Sequence, residues 1–293
     1  MSKTLLVLTW LAAMGWLIRF EAYPNMFEDT ARGYEELTRD LPALRDTWMK
    51  VIAGNRHVGY VHSSTHIDES DEQEHLVLSS QMVLRLDFGG IERILRLTSE
   101  VRLNAQSEFL SSTLRCSASG LMNGEMTLRP EPNDTRFRLK LDVSLENAPD
   151  IRLSRLIDIP EDVIVASPLL DNGLTSLRPG QTLRIKTLDP FSADGSTRTM
   201  VLRGEKDNEW ENVTLDGEEL DVRKVSVTLG EIKLYAWLDE YGRTLRQETP
   251  FGLVLVNSDS QQAVQLPDEN AFDFRELLNR SPLSSFSDFP VTP

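Results

Sequence analysis

Apolar side chains occupy every second position along much of the chain. The clearest run pairs Phe137, Leu139, Leu141, Val143 and Leu145 with the interleaved Arg136, Arg138, Lys140, Asp142 and Ser144. Successive strand residues point to opposite faces, so this spacing predicts antiparallel strands with one face buried and one in water. The same pattern predicts strands at 47–53 and 57–66 around Gly54-Asn55. Another carries Leu76, Leu78, Met82, Leu84, Leu86 and Phe88 up to Gly89-Gly90. The next sets Leu95, Leu97, Val101 and Leu103 against Arg96, Glu100 and Arg102. A meander continues through 108–119, 121–129 around an Asn123-Gly124 turn, and 135–146. Strands resume at 181–188, 197–205, 210–216, 219–229, 231–239 and 243–257, with Asp216-Gly217 and Tyr241-Gly242 as turns.

Four stretches depart from this period. Thr4 to Ile18 is an uninterrupted low-polarity run between Lys3 and Arg19, shorter than the ~20 residues of an ordinary spanning helix. Arg19, Phe20 and Glu21 offer no small-residue cleavage site, which favours an uncleaved anchor over a cleaved signal. Phe27, Ala31, Tyr34, Leu37 and Leu41 then recur at helical spacing and predict an amphipathic helix ending near Pro42. Between Asp158 and Arg178, a Val163-Ile164-Val165 run and Leu169, Leu170, Leu174 and Leu177 predict a helical crossing over the apolar face. The segment 267–293 reads as a mobile tail with a short helix around Phe272 to Leu278. The expected fold is therefore mainly β: a long curved antiparallel sheet of half-barrel type at 46–266, behind a membrane helix at 1–20 and an amphipathic helix at 21–45.

Composition narrows the partners. A chain of 293 residues with 40% hydrophobic content builds a sizeable core, and a net charge of −15 argues against nucleic acid, whose phosphates need clustered Lys and Arg. The single cysteine, Cys116, allows no internal disulfide or multi-cysteine zinc site, and its strand parity places it on the apolar face as a buried thiol.

Candidate chemistry is sparse. His62 and His66 share a strand face but lie roughly 13 Å apart, too far for one metal ion. No nucleophile elbow or phosphate loop is present. The acids Asp68, Glu69, Asp71, Glu72 and Glu74 fall in a hairpin loop without EF-hand spacing. The chemistry implies no cofactor and no metal.

Three stretches together resemble a known group: Trp48-Met49-Lys50 through Gly54 to Val58-Gly59-Tyr60; Arg178-Pro179-Gly180 to Leu188-Asp189-Pro190; and Tyr235-Ala236-Trp237-Leu238-Asp239 through Gly242-Arg243 to Phe251-Gly252-Leu253. This resembles the bacterial envelope β-domain that precedes transglutaminase-like domains and, more loosely, the half-barrel of the lipoprotein-carrier group. The resemblance implies an envelope domain; with the apolar N-terminal run, the expected location is a single-pass inner-membrane protein whose main domain lies in the periplasm or otherwise outside the cytoplasm. It carries over no catalytic residue, because the transglutaminase-like family keeps its Cys, His and Asp in a separate domain.

The expected function is a non-catalytic interaction or scaffold module with an envelope protein partner. Binding of lipid or another apolar ligand in the concave face is the alternative, and a hydrolase-type enzyme the third class. Tyr235, Trp237, Arg243 and Arg246 form the candidate recognition surface, with a structural hairpin as the competing reading.

Overall fold

The computed structural model describes residues 29–30, 33–38, 45–68, 74–87, 90–146, 148–165, 182–188, 197–204, 210–215, 218–229, 232–249, 252–266 and 272–273. Eighteen strands in these residues form one large, mostly antiparallel sheet. The first meander runs β2 (Arg45–Ala53), β3 (Arg56–Asp68), β4 (His75–Asp87), β5 (Glu92–Leu103), β6 (Phe109–Ala118), β7 (Met122–Pro130), β8 (Phe137–Leu145) and β9 (Ala148–Ile157), each antiparallel to the next. The second contains β11 (Thr182–Leu188), β12 (Thr197–Gly204), β13 (Glu211–Leu215), β14 (Glu218–Leu229), β15 (Ile232–Leu238), β16 (Thr244–Glu248) and β17 (Leu253–Ser258). Here β12 pairs with β14 and β13 forms a hairpin on β14. Pairing of β17 with β2 joins the two meanders. Short β1 (Asp29–Thr30) and β10 (Val163–Val165) run parallel to β11, and β18 (Phe272–Asp273) runs parallel to β4. Among the described residues no ladder links β9 to the β10–β11 end, so the sheet is open.

The two ends nevertheless face each other across a shared interior. Val101 and Leu103 of β5 pack in one cluster with Leu183 and Ile185 of β11, Leu202 of β12 and Val225 of β14. Leu128 and Leu139 of β7 and β8 pack with Val163, Val165 and Leu188. Burying both inner faces against each other removes the largest apolar area from water, and strand twist supplies the curvature that permits it. Helix α1 (Gly33–Thr38) delivers Tyr34 into this interior. The Tyr34 hydroxyl donates to the Val165 carbonyl at 2.9 Å and accepts from the Val165 N–H at 3.1 Å, and its ring stacks on Phe109 at 6.1 Å. Burial pushes its phenol pKa well above the ordinary range. A second helix, α2 (Ser260–Val264), capped by the Asp259 carboxylate, lies over β2 and β3.

Several expectations need correction. Within the amphipathic helix expected at 21–45, Gly33–Thr38 forms α1, whereas Asp29–Thr30 is extended and pairs with β11 and β2 begins at Arg45; 21–28, 31–32 and 39–44 lie outside the described residues. In the central crossing, Val163–Val165 is a strand: three β-branched residues buried on both faces prefer the extended ladder with β11. The rest of that crossing, 166–181, lies outside the described residues, as does the membrane helix at 1–20. No described helix is long and apolar enough to cross a membrane. Asn123-Gly124 is inside β7; the turn comes earlier, at Gly120, with φ of +62° and a Leu121 N–H bond to the Ala118 carbonyl. The 243–257 strand is broken by a turn in which the Gly252 N–H donates to the Thr249 carbonyl at 3.1 Å. At the start of the predicted tail helix, Phe272–Asp273 is extended and docked on β4; 274–293 lie outside the described residues. Strand β9 and helix α2 were not anticipated.

Candidate functional site

Registered partners in a sheet share a face, so the inner surface can be followed row by row. One row crosses eight strands: Met49, Val61, Met82, Leu97, Cys116, Gly124, Val143 and Ile151. It contains no charged side chain. Its burial changes along its length. Met49 and Val61 are 2% and 0% exposed, Met82, Leu97, Cys116 and Val143 are half-buried, and Ile151 is 51% exposed. In the neighbouring row Leu153 of β9 is 42% exposed beside half-buried Leu141.

This stripe runs between two cores. On one side Met82 and Leu95 lean on the cluster around Val51 and Val61; on the other Leu114 and Leu141 lean on the cluster around Leu128 and Leu139. From β4 to β9 there are five strand spacings, or about 24 Å of apolar surface. Cys116 sits within it, half-buried where a fully buried thiol was expected, and partial burial raises its pKa. The thiol lies opposite Gly124 in register.

The outer face carries the aromatic residues singled out from the sequence, and it brings three of the four together. Trp237 pairs with Arg246 across β15 and β16, and Tyr235 with Glu248. Lys224 of β14 lies 4.5 Å from the Tyr235 ring centre and 5.1 Å from that of Trp237, while the Arg246 guanidinium lies 5.3 Å from Trp237. The indole thus packs among cations, a favourable arrangement for its ring quadrupole. Arg246 also donates to Glu248 at 2.6 Å. The row continues through Val256 and Lys50 to Tyr60, and Lys50 donates to Gln262 of α2 at 2.8 Å. Arg243 stands apart. Its Nε donates to Asp239 at 2.6 Å, and the other Asp239 oxygen accepts the Tyr241 and Arg243 N–H groups, closing the turn.

The histidines share no site. His62 and His66 lie on the outer face as their spacing requires, with His62 stacked on Trp48 at 4.0 Å and bonded to Asp46 at 2.5 Å. His57 lies 2.8 Å from the Gly59 carbonyl, and burial lowers its pKa. Among the described residues no group of three His, Cys, Asp or Glu could hold a metal ion. Of the acidic loop, 69–73 lie outside the described residues.

No protein-family model matches the chain, and no curated protein matches it. Among solved structures, it is similar to the beta-barrel-like protein of domain of unknown function DUF1849 from Brucella abortus. That likeness has 10% identity, covers 74% of this chain and 95% of the other, and has a TM-score of 0.41.

Sequence reasoning missed the open end of the inner stripe. A signal was present: Ile151 and Leu153 alternate with Arg152 and Ser154, a short strand pattern following the Pro149-Asp150 break. Reading Gly124 as a turn residue removed the middle of the row from consideration.

Proposed function

We propose that the chain is a non-catalytic envelope protein, tethered by its N-terminal apolar segment, whose half-barrel binds a lipid acyl chain along the inner face. The observation that carries this reading is the apolar row from Met82 to Val143, partly buried throughout, which ends at the 51% exposed Ile151 on the β9 edge. Ile151 and Leu153 leave adjoining apolar surface in water at this edge, a feature that favours a bound partner. One leaflet's tails reach about half of the ~30 Å hydrocarbon core of a bilayer, or about 15 Å, so an acyl chain would cover rather more than half of the stripe. The soft thioethers of Met82 and Met122 adapt to a flexible chain.

Native mass spectrometry of the full-length protein extracted in digitonin tests the proposal. A stoichiometric lipid adduct that exchanges for added hexadecanoate is the expected result. A lipid-free protein that takes up no fatty acid would sink it.

A second reading rests on the outer row of Lys224, Trp237, Arg246 and Lys50, a basic and aromatic strip on a chain of net charge −15. It suits the acidic face of an envelope protein partner.

A further inference from the structure

The two meanders carry charge differently on their outer faces. On the first, cations are answered by acids: Arg102 pairs with Glu100 and Arg115 with Glu125, both at 2.9 Å, and Arg138 with Glu131 at 2.5 Å. On the second, the residues that alternate with the inner Leu183, Ile185, Leu202, Val225 and Ala236 lie outside, and six of them are cationic: Arg184, Lys186, Arg203, Lys224, Lys233 and Arg246. Across β11, β12, β14, β15 and β16 their rows contain one acid, Glu248, which accepts from Arg246. Lys186 also reaches Asp162, beside β10, at 2.5 Å. Arg184, Lys186, Arg203 and Lys233 are exposed.

Two aromatic rings lie within this basic face. Lys224 and Lys233 stand 4.5 and 4.9 Å from the centre of the Tyr235 ring, and Lys224 and Arg246 stand 5.1 and 5.3 Å from that of Trp237. Half-buried Trp and Tyr rings among Lys and Arg suit a lipid headgroup layer, because the rings are amphipathic and the cations meet phosphate. A chain of net charge −15 is repelled as a whole by an anionic surface, so its field turns the face with six cations and one acid toward that surface.

The path of the chain brings a bilayer to the same place. Asp29 and Thr30 of β1 register with Leu183 and Arg184 of β11, so the chain enters the sheet at the edge of the basic face. Ten residues, 19–28, separate Ile18 at the end of the apolar run from Asp29, and ten residues span at most about 35 Å. A link this short holds the domain near the bilayer at an effective concentration on the order of millimolar, where a contact too weak to bind a free protein suffices.

We infer that the outer face of the second meander rests on anionic lipid headgroups of the membrane that holds the N-terminal segment. This inference rests on the tethered part of the proposed function and goes beyond it by naming the face that meets the bilayer and the lipid chemistry that orients it. An acidic protein partner would account for the charge and leave the short approach to β11 without a role.

The experiment reconstitutes the full-length protein in nanodiscs of phosphatidylglycerol or of phosphatidylcholine and follows acetylation of individual lysines by mass spectrometry. Lys233 reports on the basic face, and Lys140, exposed on the outer face of β8, is the internal control. Acetylation of Lys233 should be about fivefold slower or more on phosphatidylglycerol than on phosphatidylcholine, whereas Lys140 should react equally on both. The difference should vanish at about 1 M salt, where the screening length is about 3 Å. Replacing Arg184 and Arg203 together by Glu should remove the protection of Lys233. Arg203→Gln alone should weaken it in the same direction, and keeps the test valid if the double variant fails to fold. Equal rates for Lys233 on the two lipids, in protein that has entered the discs, overturn the inference and leave the tether standing. Protein that enters neither disc overturns the tether and the inference with it. Slowing of Lys233 by added polyglutamate on phosphatidylcholine, with none caused by phosphatidylglycerol, overturns the lipid assignment in favour of an acidic polypeptide.

Discussion

The two ends of the inner stripe are built from the same alternation and meet different fates. At the β2–β3 end Met49 and Val61 are 2% and 0% exposed, enclosed with Val51, Leu84 and Leu255 where β17 joins the two meanders. At the β8–β9 end the equivalent positions, Val143 and Ile151, are half-buried and 51% exposed, because β9 is a sheet edge and, among the described residues, it is its Ile157 end that packs with Val163, Val165 and Leu188. An apolar strand face is a demand for cover. Which strands receive it depends on where the sheet folds back on itself.

The largest predicted effect separates these two ends. Met49→Ala, at a position of the covered end with 2% exposure, should cost about 2–5 kcal/mol, since a cavity remains where the side chain was. Ile151→Ser should change stability by less than about 0.5 kcal/mol. Denaturant unfolding of both variants checks the contrast; comparable losses would mean that the β9 end is covered in solution, and the apolar binding face would disappear with that result.

A smaller effect is expected on the outer face. Trp237 is half-buried among Lys224 and Arg246, so Trp237→Ala should cost about 1–2 kcal/mol, below the ~3–5 kcal/mol of a fully buried indole. Thermal unfolding and pull-down of envelope partners belong in the same experiment. Partner loss at an unchanged melting temperature would move the recognition surface to this face, against the structural reading of the hairpin.

The smallest effect is a pH dependence at the covered end. His57 is partly buried beside α2, and desolvation holds its pKa below the ordinary 6.5, partly offset by the Gly59, Ala263 and Gln265 carbonyls. The unfolded chain then binds the proton more readily than the folded one. The contribution to stability is present above pH 6.5 and is lost as pH falls below that value toward the folded-state pKa. The stability difference between the wild-type protein and His57→Gln should change across this window. A difference that stays constant from neutral to mildly acidic pH counts against the assignment.

Much of the fold was legible because a strand's period is local. The interleaving of Leu95, Leu97, Val101 and Leu103 with Arg96, Glu100 and Arg102 assigned β5 and its inner face without reference to any partner. Misreadings cluster where local signals compete. Val163-Ile164-Val165 lay beside leucines at helical spacing, and Asn123-Gly124 has the composition of a hairpin turn, yet Gly120 made the turn first. The outer-face residues were legible as a group because Tyr235 and Trp237 are two apart on one strand. Arg243 lies apart from them, and its pairing with Asp239 was not legible because it depends on the path of the turn.

The alternation by itself determined a mainly antiparallel β-structure, the face on which each strand residue lies, and the parity that placed Cys116 among apolar neighbours. Tertiary structure alone decided that β17 pairs with β2, that Tyr34 clamps Val165 from 131 residues away, and that the apolar row from Met82 to Ile151 is left half-open. The physical reason is range. Side-chain direction is set by each residue's own backbone geometry, whereas burial requires a second surface, and that surface is supplied by strands far away in sequence, brought over the first by the twist of the sheet.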